Sequence, residues 1–257
     1  MTTMLSQNGF EMHGLQHTSV SAINSWEECP DQWVAKYLHG IKFPGSPAMW
    51  RGICTEDAVR AVIEGGDSIE DAIKAALKVY DDKNGFDDDP AVEKERKNIA
   101  PMAEMAIEEL KQYGKPEFPD GMKQHKVEML CKTDDFQIPM IGYLDFVYPQ
   151  HGLVVDLKTT LRAPSSMSKN HIRQRCFYEK AMGNHAVKFL YITPKKALWL
   201  EDGDVNDEMA EIKATLIRQE RFLRAGDKDF LTSIVPVNPN HFYWRDAVAV
   251  RKKLYGL

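Results

Sequence analysis

Residues 142–160, GYLDFVYPQHGLVVDLKTT, constrain this chain more than any other stretch. Apolar residues fill alternate positions on either side of PQHG, so the segment reads as two antiparallel strands joined by a turn. With Pro149 to Gly152 as the turn, Tyr148 faces Leu153, Val147 faces Val154, Phe146 faces Val155 and Asp145 faces Asp156. Side chains alternate across a strand. One face therefore carries Leu144, Phe146, Tyr148, Leu153, Val155 and Leu157, wholly apolar and fit only for a core. The other carries Tyr143, Asp145, Val147, Val154, Asp156 and Lys158. Opposed Cβ atoms lie about 4.5–5.5 Å apart, and two desolvated carboxylates at that spacing are costly unless something compensates them. A divalent cation does so, because hard oxygen ligands suit Mg2+ or Mn2+. Lys158, one pleat on, points the same way and reaches a phosphate held there. A solvated polar face with a salt bridge is the other reading of the same residues.

Around this pair the period changes along the chain. Residues 1–17 show no periodicity and read as a flexible lead-in. Thr18 or Ser19 caps a short helix, and Pro30 opens a second one to about residue 38. Helical patterns follow at 49–64, closed by Gly65 and Gly66, at 68–81, capped by Ser68, and at 91–113, with a possible bend at Pro101. Residues 81–90 form an acidic connector. Strands are expected at 123–131, 138–148 and 153–159 as a meander, then a helix at 168–182, strands at 186–193 and 197–200, and helices at 205–224 and 240–256. The order implies an α/β fold, a central mixed β-sheet flanked by helices with a helical N-terminal half. Residues 18–257 read as a single domain: 18–120 mainly helical, 121–200 the sheet core and 201–257 C-terminal helices.

Charge is uneven. The net charge is −5, yet residues 81–110 hold ten acids against four bases, and residues 151–200 hold nine bases against two acids. A basic segment around the unusual strands fits a polyanionic partner; a solvated charge pattern of no consequence remains the alternative. No apolar run approaches the roughly 20 residues of a membrane span, and the N-terminus shows no signal peptide, so a cytoplasmic protein is expected. Cys29, Cys54, Cys131 and Cys176 form no C-x-x-C pair and are expected as reduced, scattered thiols.

Two other segments bear on the strand pair. In HIRQRCFYEK, Gln174 and Tyr178 are four apart and share a helix face, with Arg175 beside that stripe. In RGICTEDAVRAVIEG, Gly52 permits close backbone approach and Glu56 follows one turn later, able to supply another metal oxygen. An ordinary amphipathic helix and a surface glutamate are the plain readings of these two. Glu128 faces either the same cleft or the surface, and Trp26, Trp33, Trp50, Trp199 and Trp244 read mostly as core.

Together these residues resemble the PD-(D/E)XK nuclease superfamily, in particular its RecB-like exonuclease branch. The resemblance runs in order through Ser19, Ser21, Ile23, Trp26, Cys29 and Pro30, then Gly52 and Glu56, Gly142 and Asp145, Asp156 and Lys158, and Gln174 and Tyr178. RecB-like proteins often carry His where this chain has Glu56; phage exonucleases of the lambda type are similar to it in using Glu. The resemblance implies a restriction-endonuclease-like core and hydrolysis of DNA phosphodiester bonds with one or two Mg2+ or Mn2+ ions. Glu56, Asp145, Asp156 and the Leu157 carbonyl would be metal ligands, with Lys158 orienting the water or stabilising the transition state. Gln174 and Tyr178 would position the site or the DNA backbone, and Arg162, Lys169, Arg173 and Arg175 are candidate phosphate contacts. Some relatives bind an iron–sulfur cluster through late cysteines; no cysteine follows Cys176, so none is expected here. The expected activity is that of an exonuclease in DNA recombination or processing, phage-type or CRISPR-associated-like without the iron–sulfur cysteines, and in the host cytoplasm if phage-encoded. A structure-selective endonuclease on the same core and a non-catalytic DNA-binding protein are the alternatives.

Overall fold

The computed structural model describes residues 7–85, 90–118, 124–201, 204–245 and 247–257. In chain order the elements are α1 (Gly9–Met12), β1 (Thr18–Ser19), α2 (Val20–Glu28), α3 (Pro30–Trp33), α4 (Pro47–Ile63), α5 (Ile69–Asn84), α6 (Pro90–Arg96), α7 (Ile99–Leu110), β2 (His125–Lys132), β3 (Gln137–Leu144), β4 (Phe146–Tyr148), β5 (Leu153–Thr159), α8 (Lys169–Met182), β6 (Ala186–Ile192), β7 (Ala197–Leu200), α9 (Val205–Leu223), α10 (Lys228–Ile234) and α11 (Val248–Tyr255). The fold is mixed α/β, consistent with a restriction-endonuclease-like core behind a helical N-terminal region.

The strands form two sheets rather than one meander: β1-β3-β2, and β4-β5-β6-β7. The expected turn register holds, with Phe146, Val147 and Tyr148 opposite Val155, Val154 and Leu153. The expected strand 138–148 breaks at Asp145, where the chain bends out of one sheet into the other. Alternation breaks there too. Leu144 packs in a core with Val147, Val154, Phe177 and Phe189, whereas Phe146, Tyr148, Leu153, Val155 and Leu157 join Cys54, Ala58, Ala103 and Leu110 of α4 and α7. The apolar face expected to include Leu144 therefore lacks it. Both faces of β5 are buried, so its Asp156 stands in a sheet covered on both sides and not on a solvated strand.

Parallel pairing of β5 with β6 requires a crossover, and α8 supplies it. Helix α8 packs on β2 and β6, and Gly142 is what lets it approach. A Cβ at Gly142 would stand 2.7 Å from ring carbons of Phe177 and Tyr178.

The described part of the N-terminal lead-in is packed against the body of the protein. Phe10 is 1% exposed, and the Gly9 N–H donates to both carboxylate oxygens of Glu220, at 2.9 and 2.8 Å. The expected helix 91–113 is two helices broken between Arg96 and Ile99, and Pro101 lies in the first turn of α7, where its missing N–H costs nothing. Helix α5 runs to Asn84, into the expected connector; residues 86–89 of that connector and residue 123 of the first expected strand lie outside the described residues. The expected C-terminal helix 240–256 is reduced to α11 after a short turn at Phe242–Trp244. Helix α10 was hidden in a seven-residue stretch capped by Asp227, whose side chain accepts from the Phe230 N–H. Among the described residues no helix is long and apolar enough to cross a membrane.

Candidate active site

Asp145 occupies the bend between the two sheets. Its Oδ2 accepts the Leu157 N–H at 2.9 Å, two residues past the last β4–β5 pair, so the carboxylate takes a backbone donor that the ended ladder leaves free. This places Asp145 beside Asp156, as the extrapolated register expected, but through a side-chain bond instead of strand pairing. Asp156 is 1% exposed. Its Oδ2 accepts from Gln174 Nε2 at 2.9 Å. Its Oδ1 accepts no well-directed hydrogen bond and faces the Lys158 ammonium at 2.5 Å.

Helix α8 holds the next layer. Gln174 Nε2 also donates to Tyr178 Oη at 2.8 Å, and Tyr178 Oη donates to the Tyr143 carbonyl at 2.7 Å. Burial, then Asp156 and Asp145, pushes the Tyr178 phenol well above its usual range, so it stays a donor.

Glu56 arrives from α4. Arg51 at the start of that helix donates to the Thr159 carbonyl at 3.0 Å, and a Cβ on Gly52 would lie 3.3 Å from Thr159 Oγ1, so α4 is fastened to the end of β5. Glu56 pairs with Arg60 one turn on. A single amide joins it to the strands: Gln124 Nε2 donates to Glu56 Oε1 at 3.0 Å and to Asp145 Oδ1 at 2.9 Å. Sequence reading missed Gln124 because nothing in its local pattern marks it. Arg60, four residues beyond Glu56, had a visible signal in that spacing.

The electrostatics are those of a site short of positive charge. Burial and the neighbouring Asp145 push the Glu56 carboxyl up to about 7. Burial and then Asp156 raise Asp145, and burial raises Asp156 against the pull of Lys158. Burial lowers the Lys158 pKa, but Asp156 and Asp145 outweigh it and raise it above the ordinary value, which holds the ammonium charged. The carboxylate oxygens of Asp145 and Asp156 in one cleft, with Glu56 reached through Gln124, are hard ligands that suit a divalent cation. Among the described residues no three acidic, His or Cys side chains yet stand grouped tightly enough to close round an ion. Asp145, Asp156, Lys158, Gln124, Gln174 and Tyr178 line one cleft of about 610 Å3.

The basic candidates divide. Arg173 is 1% exposed and donates to Asn24 at 2.6 Å and Glu27 at 2.8 Å, which makes it a buried brace between α8 and α2 and removes it from the surface phosphate contacts. Arg175 bonds Glu179 at 2.8 Å and the Glu201 carbonyl, and Lys169 pairs with Glu211. Arg162 is exposed in the loop after β5. Glu128 is exposed and pairs with Lys126 at 3.3 Å, outside the cleft. Cys29 is fully buried, its thiol donating to Asp31 at 2.9 Å, and all four cysteines are buried and free.

The chain is similar to a solved structure described as the crystal structure of SSO0001, with 14% identity over 72% of this chain and 82% of that one and a TM-score of 0.36, a likeness too loose to carry argument. No curated protein matches it. Residues 17–237 match the PD-(D/E)XK nuclease superfamily, whose members generally use divalent metal ions. With this match spanning most of the sequence, the chain belongs to the PD-(D/E)XK nuclease superfamily.

Proposed function

We propose that this nuclease is a metal-dependent DNA exonuclease of RecB-like type acting in DNA recombination or processing, with residues 18–257 working as one catalytic unit. The observation that supports it best is the meeting of Asp145, Asp156 and Lys158 in one cleft, backed by Gln174 and Tyr178. Asp145, Asp156 and the Leu157 carbonyl would hold Mg2+ or Mn2+, with Glu56 joining when Gln124 yields its place. An ion held there would supply Lewis-acid chemistry, lowering the pKa of a water and neutralising charge on the phosphate. The chain's own groups do the rest. Lys158, kept charged by two carboxylates, donates toward the attacked phosphate or its attacking water. Gln174 fixes the rotamer of Asp156, and Tyr178 fixes Gln174. Arg162 and Lys169, on the surface near the cleft's strand and helix, would contact phosphates, so binding would weaken with salt.

The test is end-labelled linear duplex and single-stranded DNA with Mg2+ or Mn2+, with covalently closed circular DNA alongside. The expected result is degradation of linear DNA, sparing of closed circles, and loss of activity in Asp156→Ala and Lys158→Ala while circular dichroism shows both folded. Full activity in either variant sinks the assignment. Cutting of closed circles replaces the exonuclease with an endonuclease on the same residues.

A further inference from the structure

Beside the catalytic cleft lies a second groove of about 590 Å3, which shares Val20, Ser21 and Gln174 with it. Gln174 is the residue that donates to Asp156, so whatever fills this groove ends one side chain from the proposed reaction centre. The far wall carries Phe43, Phe242 and Tyr243 with the cations Lys36 and Arg245, and among the described residues lining it there is no acid. The Glu28 carboxylate next to it is engaged, accepting Tyr243 Oη at 2.8 Å and Asn170 Nδ2 at 2.5 Å.

Phe242 is the unusual member. It is 65% exposed, in a turn where it could have pointed inward as Trp244 does at 0%. It sits in a run of rings, 4.8 Å from His241 and 4.0 Å from Tyr243 between centroids. An exposed aromatic platform in a groove that also carries Lys36 and Arg245, next to the proposed active site, has the chemistry of a surface for unpaired bases: every base offers a π-face, and a duplex hides it.

We propose that this groove receives a single-stranded segment of the nucleic-acid substrate, with a base stacked on Phe242 and the backbone running past Lys36 and Arg245 toward Gln174. The proposal rests on the nuclease reading above and names its substrate class, a strand with an unpaired end.

The test is fluorescence anisotropy of a dye-labelled oligothymidylate and of a blunt hairpin duplex, both in EDTA so that nothing is cleaved. The wild type binds the oligothymidylate more tightly than the hairpin. Phe242→Ala raises the oligothymidylate Kd by about 10-fold, Phe242→Trp keeps wild-type affinity, and melting curves show both variants folded. An unchanged Kd in Phe242→Ala, or no binding of the oligothymidylate by the wild type, overturns the groove assignment. So does sedimentation showing a dimer that Phe242→Ala dissociates, which gives the groove to a second copy. Hydrolysis is measured separately with Mg2+ on the wild type. If hydrolysis persists while the Kd is unchanged, only the groove falls; if there is no hydrolysis, the nuclease reading falls whatever the binding.

Discussion

Replacing Asp145 with Asn should stabilise the metal-free protein while abolishing its chemistry. Asp145 is buried beside Asp156, and burial and then Asp156 raise its carboxyl from 3.8 to about 7, a cost of a few kcal/mol against the ionised form that the pair shares. Asn is nearly isosteric and its Oδ1 still accepts the Leu157 N–H, but its Nδ2 takes the place of the oxygen that accepts Gln124 Nε2; the variant loses that bond, the charge assistance of the other and the attraction to Lys158. Those losses offset most of the relief and leave a gain on the order of 1 kcal/mol at pH 8, or about 3 °C in Tm for a chain of this size. The sign with pH follows from linkage. A carboxylate whose folded pKa is raised contributes stability at low pH that is lost as pH rises from about 4 through about 7. The Asn gain should therefore be largest at pH 8 and vanish near pH 4. His171 runs the other way: burial, then Lys158, lowers it to about 4, so its contribution is lost as pH falls from 6.5. Because wild type and variant share His171, it cancels in the difference. Thermal melts in EDTA at several pH values give the result. Adding Mg2+ or Mn2+ at ten times its Kd should raise the wild type by about 1.4 kcal/mol and leave Asp145→Asn nearly unmoved. A variant that melts at or below wild type at pH 8 without metal, or an equal response of both to metal, would refute the reasoning.

Gln124→Ala removes the amide shared by Glu56 and Asp145, so the metal-free protein should lose about 1–2 kcal/mol and its metal-induced rise in Tm should exceed that of wild type; an equal rise counts against the bridging role. Gly142→Ala puts a methyl 2.7 Å from the Phe177 and Tyr178 rings; it should cost about 1–3 kcal/mol in urea denaturation and lower activity through displacement of Tyr178 and Gln174. Phe10→Ala should cost about 3–5 kcal/mol by the same assay, whereas a negligible effect would restore the reading of this segment as a loose lead.

What could be read from the sequence and what could not separate along physical lines. The β4–β5 register was legible because a four-residue turn and a period of two leave little freedom. The helix caps at Ser19 and Ser68 were legible for a similar reason, since side-chain capping is local. The bend at Asp145 was not: no Gly or Pro marks residues 144–146, and the break follows from two cores competing for Leu144 and Phe146. Arg173 was read as a phosphate contact because it lies in a basic segment; its partner Glu27 is 146 residues away in sequence, and no local pattern reveals such a pair. Phe10 escaped for the same reason, being held by a core it does not help to pattern. Of the site, local spacing put Asp145 beside Asp156 and Lys158, and Gln174 on one helix face with Tyr178; that the two groups line one cleft was implied only by the family resemblance, and Gln124 depended on tertiary placement alone.

The bend at Asp145 has a mechanical consequence. The residue behaves like a rivet through the overlap of two plates, bonded to neither sheet by a ladder of its own and pinned by one amide of β5. Loosening of either plate changes the gap between Asp145 and Asp156 before it changes much of the fold. Heating should therefore silence the nuclease several degrees below the temperature at which its helices melt, because the seam opens while each core still holds.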